Sequence, residues 1–357
     1  MAEEKKLMKG IEAIGEAALR AGCRHYYGFP IAPQTELQEY MAKHLPERGG
    51  VSLQAENPQA AISMAYGASS AGAPVLTSSA SPGTTLMMEG CSYLAAAELP
   101  CVIVNISRGG PGFGNIYPAQ SDYWQATKGG GHGDYHLIVL APGSVQEMAD
   151  LTTLAFELAD RFRNPVMILA DAALAQMVEK VQFKPVPSNP SSKKDWAVKG
   201  NPGGDQKVIT SIHLRSEDLE QRNLDLQKKY AQVAQHHTLY DVYRTEKASH
   251  LVIAFGLASQ ICRKAIDSLQ SEGHRIGLMR PITLFPFPGQ VIEDHAKNVK
   301  GIMVIEMNLG QMVQDVVAAV KGETEVQFYG RTGGTTPTVE EIVKELKKFV
   351  RKKWGKS

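Results

Sequence analysis

Long hydrophobic runs are absent: the most apolar stretches of this chain are broken by Ser, Gly or Pro before they reach the ~18 residues that a membrane span needs. The opening MAEEKKLMKGIEA mixes Glu with Lys and has no apolar core, so no signal peptide is expected either. Cysteine is scarce. Cys23, Cys91, Cys101 and Cys262 are scattered without a C-x-x-C pair, which excludes a disulfide framework and any zinc or iron–sulfur site built from this chain alone. Reduced thiols in a cytoplasmic protein are expected. Charge of one sign is missing too: 38 Lys and Arg against 37 Asp and Glu leave a net charge of +1, which argues against a dedicated nucleic-acid binder.

Several nucleotide and hydrolase signatures fail at identifiable residues. GGPGFGN is not a dinucleotide fingerprint, because Asn115 stands where the last glycine belongs when counting from Gly110. The terminal Gly355-Lys356-Ser357 is not a P-loop, because Val350 occupies the place of the first glycine and no helix can follow. No G-x-S-x-G elbow occurs. A self-contained dehydrogenase, NTPase or α/β hydrolase is therefore disfavoured.

What is present is an ordinary globular composition, 43% hydrophobic and 21% charged, in 357 residues, a length that favours two domains. Short β-rich runs alternate with helical patterns through the first half: 24–29, 51–55, 74–79, 101–107, 136–140 and 165–170. That alternation predicts a parallel α/β sheet. Asn57-Pro58 reads as an N-cap with proline at the first helical position, and Ser144 with Glu147 as a capping box. From 181 the pattern dissolves into a Pro/Gly/Ser/Lys-rich linker, followed by an amphipathic helix in SEDLEQRNLDLQKKYAQVAQ with Leu219, Leu224 and Leu226 ahead of Tyr230. A second alternation, 251–256, 275–279, 301–306 and 325–330, predicts a smaller α/β domain whose last helix is capped by Thr338 and Glu341. The expected division is 1–180, a linker and connecting helix over 181–247, and 248–357.

In parallel α/β sheets, ligands bind beyond the C-terminal ends of the strands. Three segments there are unusual. Pro30-Ile31-Ala32-Pro33 stiffens the loop after the first strand. Glu56 precedes the Asn57 cap, where the helix dipole alone would also favour a carboxylate. Arg108 opens the glycine-rich Ser107–Asn115 loop and is suited to bidentate carboxylate or phosphate binding, or to a surface ion pair. The topology predicts that Glu56 and Arg108 share one crevice. His132, Asp134 and His136 run from loop into strand, which does not hold an H-x-x-x-H pair on one face, so no metal site is expected.

At YYGFPIAPQTE, LQAENPQAA, TSSASPGTTLMMEGCSYLAAAELPCVIVNISRGGPGFGN, QSDYWQATKGGGHGDYHLIVLAPGSVQEM, LMRPITLFPFP and VIEMNLGQM, the chain resembles the alpha subunits of 2-oxoacid:ferredoxin oxidoreductases. It most resembles the 3-methyl-2-oxobutanoate (2-ketoisovalerate) type, with the 2-oxoglutarate type next. The resemblance implies the pyrimidine-binding half of a thiamine diphosphate fold plus a transketolase C-terminal-like domain. The reaction it implies is oxidative decarboxylation of a 2-oxoacid to acyl-CoA, with electrons passed to ferredoxin.

By the same resemblance, Glu56 binds N1′ of the thiamine pyrimidine and helps the cofactor's own amino group remove the C2 proton, with Pro30 and Ile31 beside the ring. Arg108 holds the substrate carboxylate, with Ala32, Gln34 and Asn115 lining the substrate. The family's first loop usually reads Ile-Thr-Pro. Ala32 replaces that threonine, so substrate fixation shifts to Arg108 and to neighbours such as Gln34 or Thr35, or the pocket is enlarged. The Gly-Asp-Gly and Asn-Asn parts of the diphosphate and magnesium site do not occur, and Gly133-Asp134-Tyr135 is no substitute. The resemblance therefore assigns Mg2+ and 4Fe-4S clusters to beta, gamma and ferredoxin-like delta subunits, with CoA as co-substrate. Specificity for 2-oxoglutarate, an aryl-glyoxylate or indolepyruvate, or a non-catalytic scaffold role, are the alternatives.

Overall fold

The computed structural model describes residues 5–185, 194–200, 204 and 206–352. Much of the Pro/Gly-rich stretch between 186 and 205, the first four residues and the end of the basic tail, with Gly355-Lys356-Ser357, lie outside the described residues. The strands are β1 Lys6–Lys9, β2 His25–Gly28, β3 Val51–Gln54, β4 Val75–Ser79, β5 Cys101–Ser107, β6 Ile138–Leu140, β7 Pro165–Asp171, β8 Val178–Val181, β9 Tyr240–Tyr243, β10 His250–Ile253, β11 Ile276–Pro281, β12 Thr283–Phe285, β13 Ile302–Glu306 and β14 Val326–Gly330.

The larger sheet has the order β12-β6-β7-β5-β4-β2-β3, parallel except for β12, which runs antiparallel to β6. Its central strands β4, β5 and β7 are buried at every residue, which is why they read as apolar runs, interrupted by a few polar residues such as Ser78 and Asn105 that are hydrogen-bonded inside. Side chains alternate between two cores. Val102, Val104 and Ile106 pack with the helices Gly10–Arg20, Thr35–His44 and Val145–Phe162, while Cys101 and Ile103 face Pro58–Ser70 and Pro82–Ala96.

That second core does not stop at the domain edge. Leu251, Ile253, Met279 and Val304 of the smaller sheet belong to it, so the two sheets share one apolar layer. The smaller sheet, β14-β13-β10-β11-β9, is parallel apart from β9, and its outer face packs on the helices Gly256–Ser271 and Val339–Arg351.

Four strands escape the sequence reading. β1 and β8 form a separate antiparallel pair; β9, inside the 181–247 segment, edges the smaller sheet; β12, inside 248–357, edges the larger one. Each is three or four residues long and too short to show a period. The expected amphipathic helix spans Ser216–His236, but its buried stripe is Leu226, Tyr230 and Val233, with Leu219 and Leu224 exposed. Part of the expected linker is packed rather than excursive: Arg163 stacks over the Trp196 ring at 4.6 Å, and Val198 N–H donates to Ser70 O.

Asn57 caps its helix through Ala60 N–H at 2.7 Å, and Thr338 with Glu341 completes a capping box, each device contributing about 1 kcal/mol. The box at Ser144 is only half built. Ser144 Oγ accepts from Glu147 N–H, but the Glu147 carboxylate is taken by Gly143 N–H and by Arg280, which pairs with it bidentately at 2.7 Å. The carboxylate thus joins the residue before the cap to a charged bidentate partner on the other domain.

Candidate active site

The site forms where β3, β2, β4 and β5 end side by side. The β2 and β3 ends are stitched by Ala55 N–H donating to Gly28 O at 2.9 Å, which carries the chain straight into Glu56. β3 is the edge strand, and Glu56 is exposed and receives no hydrogen bond from the described residues. A carboxylate at the open edge of a sheet, beside a capped helix start, is free to bind something outside this chain.

Ile31, one residue before Ala32, reaches the start of the helix Pro82–Ala96. A β-carbon added at Gly83 would overlap the Ser79 hydroxyl and meet Ile31 Cδ1 at 2.5 Å and Pro58 Cγ at 3.3 Å. Only glycine lets these three segments close around one cradle. Ile31 and Pro58 thus line one corner, with Pro58 two residues after Glu56 in the chain.

Arg108, at the end of β5, is half-buried and pinned on both arms: Nη1 donates to Ala32 O at 2.6 Å and Nη2 to Phe113 O at 2.9 Å. Each terminal nitrogen keeps a second N–H, and Nε is buried without a partner. The fork is therefore preorganised, with donors left for an incoming carboxylate. Arg108 and Ala32 are brought together directly; Glu56 follows β3, which β2 and β4 separate from β5 in the sheet.

Two expected substrate contacts turn elsewhere. Gln34 is fully buried; its Nε2 donates to Phe29 O at 2.8 Å and its Oε1 accepts from Ser78 Oγ at 2.7 Å. With both ends of its amide used internally, it braces the first loop and does not face a ligand. Asn115 ties its loop to the smaller domain, donating to Gly333 O at 2.8 Å and accepting from Tyr117 N–H. Gly109 and Gly334 meet there so closely that a β-carbon on Gly109 would lie 2.9 Å from Gly334 N. The loop beyond Arg108 is thus clamped between domains, and Phe113 projects from it 90% exposed.

Sequence reasoning missed the ring of polar groups beneath Arg108. Ser81 N–H donates to Asn105 Oδ1 at 3.1 Å, Asn105 Nδ2 to Asp122 Oδ2 at 2.9 Å, and Ser81 Oγ to the same Asp122 oxygen at 2.7 Å. Burial pushes the Asp122 carboxyl up, against the opposing pull of Ser81, Asn105 and the Arg108 charge. One signal was available: Asn105 is the polar residue inside the otherwise apolar run CVIVNI, and a buried amide must find partners. Two further buried carboxylates stand at the domain junction. Asp171, at the end of β7, accepts from Ala173 and Leu174 N–H, and burial raises it to about 6; Glu306, at the end of β13, accepts from Met312 and Val313 N–H and is also raised by burial.

Comparison with known proteins decides the family. Residues 16–238 match the family described as pyruvate flavodoxin/ferredoxin oxidoreductase, thiamine diP-bdg, and residues 248–342 match pyruvate:ferredoxin oxidoreductase core domain II. The chain belongs to the 2-oxoacid:ferredoxin oxidoreductases. It is 44% identical over 344 residues to the ketoisovalerate oxidoreductase subunit VorB of Methanothermobacter marburgensis, covering 96% of this chain and 97% of the relative. It is 36% identical to the 2-oxoglutarate synthase subunit KorA of Archaeoglobus fulgidus, covering 92% and 95%. Among solved structures, a 2-oxoglutarate:ferredoxin oxidoreductase from Magnetococcus marinus matches with a TM-score of 0.86 at 26% identity, covering 98% of this chain and 66% of that longer one. A split-gene transketolase matches the fold, with a TM-score of 0.61.

The thiamine diphosphate-binding domain of this oxidoreductase subunit is therefore the seven-stranded one. Its residues suit the pyrimidine side of the cofactor: a free carboxylate at Glu56 and a close-approach corner at Gly83. Among the described residues no group of three His, Cys, Asp or Glu is placed to hold a metal ion. No helix among them is long and apolar enough to cross a membrane.

Proposed function

We propose that this chain is the alpha-type subunit of a 2-oxoacid:ferredoxin oxidoreductase that acts on 3-methyl-2-oxobutanoate in the cytoplasm. The acid and CoA become acyl-CoA and carbon dioxide, and the electron pair passes to ferredoxin. The observation that carries this reading is the free Glu56 carboxylate and the pinned Arg108 fork at the C-terminal ends of one sheet, within a chain 44% identical to a ketoisovalerate oxidoreductase subunit.

When bound, thiamine diphosphate supplies a carbon nucleophile and an electron sink for decarboxylation. Glu56 would hold N1′ of its pyrimidine, with Pro30 and Ile31 beside the ring. Arg108 receives the substrate carboxylate on its free N–H groups, while Ala32 leaves room where a hydroxyl-bearing side chain would stand. The Mg2+ and diphosphate ligands, the 4Fe-4S clusters and part of the CoA site are assigned to beta, gamma and ferredoxin-like delta partner subunits, because the motifs for them are missing here. Specificity for 2-oxoglutarate is the second reading, favoured by the relatives and the solved structure that bear that name.

The test is thiamine- and CoA-dependent reduction of ferredoxin or a viologen dye by the complex purified with its native partners. The substrates are 3-methyl-2-oxobutanoate, 2-oxoglutarate, pyruvate, phenylglyoxylate and indolepyruvate. The highest kcat/KM is expected on 3-methyl-2-oxobutanoate. A preference for 2-oxoglutarate overturns the substrate, and no turnover on any acid by the loaded complex leaves the scaffold role.

A further inference from the structure

We propose that Asp122 is a positioning residue for Arg108, acting through the Ser81 hydroxyl to fix the backbone from which the guanidinium is aimed. This rests on the reading of Arg108 as the group that receives the substrate carboxylate.

The direction of each hydrogen bond leaves little choice. The Arg108 backbone N–H can only donate, and it donates to Ser81 Oγ at 2.9 Å. That hydroxyl has one proton, and it goes to Asp122 Oδ2 at 2.7 Å, since an ionised carboxylate can only accept. Asn105, fully buried in β5, closes the ring by accepting from Ser81 N–H and donating to the same Asp122 oxygen. The segments brought together are 27 and 41 residues apart in sequence, so no local turn could hold them.

The competing arrangement is also visible. Ser81 Oγ also lies 3.5 Å from Arg108 O, a second possible acceptor for the same hydroxyl proton. Without the carboxylate, the hydroxyl proton turns to that carbonyl and the ring opens. Asp122 has no ion-pair partner within salt-bridge distance among the described residues, so it is not retained as half of a salt bridge. The Arg108 guanidinium meanwhile spends one N–H of each arm on Ala32 O and Phe113 O. With the fork tied at its tip to those two carbonyls, the ring beneath holds the backbone end of the same side chain, beside the Gly109 N–H bond to Tyr117 O.

The test compares Asp122→Asn, Asp122→Ala and Ser81→Ala in the assembled complex. An asparagine oxygen can still accept from Ser81 and Asn105, whereas alanine removes the acceptor. We expect Asp122→Ala and Ser81→Ala each to raise KM for the 2-oxoacid about tenfold or more, with kcat changed less than about threefold and thiamine diphosphate affinity unchanged. The double variant should be no worse than either single one, because both cut the same link. Asp122→Asn should recover most of the loss. Hydrogen exchange of the 107–115 segment, read without substrate, should accelerate in Asp122→Ala and stay slow in Asp122→Asn. An unchanged KM, or exchange in 107–115 no faster than in the parent, overturns the proposal. If the parent complex turns over no 2-oxoacid, the functional reading has failed, while the exchange data still decide whether Asp122 holds the loop.

Discussion

Arg108 donates from Nη1 to the backbone carbonyl of Ala32 at 2.6 Å, so the side chain after β5 is tied to the main chain of the loop after β2. The join does not use the residue 32 side chain. Substitution there leaves the loop geometry in place and changes only what projects into the crevice, where Ala32 is exposed.

Ala32→Thr should therefore retune the enzyme without unfolding it. One added methyl and hydroxyl in a substrate pocket changes discrimination by about tenfold or more. The kcat/KM ratio of 3-methyl-2-oxobutanoate to pyruvate is expected to fall by at least that factor, with the melting temperature unchanged. A large gain on all acids alike would instead mark a degenerate parent site.

Glu56→Gln should lower kcat about 100-fold or more, since it removes the carboxylate expected to act on the pyrimidine while keeping its shape. Glu56 is exposed and takes no hydrogen bond within the described chain, so stability should move by less than about 0.5 kcal/mol. Steady-state turnover, with assembly checked by size-exclusion chromatography, separates the two effects.

Gly83→Ala should impair cofactor binding before it impairs folding elsewhere. The new methyl meets Ile31 Cδ1 at 2.5 Å and overlaps the Ser79 hydroxyl, so Ile31 must move out of the corner it shares with Pro58. Overpacking of this kind costs about 1–3 kcal/mol. Titration of thiamine diphosphate into the stripped complex should show at least about tenfold weaker binding; unchanged affinity would remove Ile31 from the cofactor corner.

Asp171 predicts a pH dependence of stability. Burial raises its carboxyl from 3.8 to about 6, so between those values the native state binds more protons than the unfolded chain. Stability from this group therefore falls as pH rises through that window, and the full cost is present above it. Asp171→Asn keeps an oxygen for the Ala173 and Leu174 N–H groups and removes the charge. Relative to the parent, its stability should rise by about 2 kcal/mol between pH 4 and pH 7.5, read from denaturant melts at the two values. Parallel pH profiles for the two proteins would contradict the buried-charge account.

The amino-acid sequence by itself determined the features whose physics is local. Strands buried on both faces are mostly apolar, so β4, β5 and β7 were legible as runs, and helix starts such as Asn57 and Thr338 are written within four residues. Glu56 and Arg108 were legible as candidates because parallel sheets place ligands after strand ends. The tertiary structure alone decided which polar groups meet. Gln34 turned inward to Phe29 and Ser78, Glu147 took Arg280 of the other domain beside Gly143 N–H, and β12 crossed to the larger sheet. The Asp122–Ser81–Arg108 chain arose in the same way. A hydrogen-bonding group is satisfied by whichever partner the topology delivers, and from sequence an inward-turned glutamine cannot be told from one that faces a substrate.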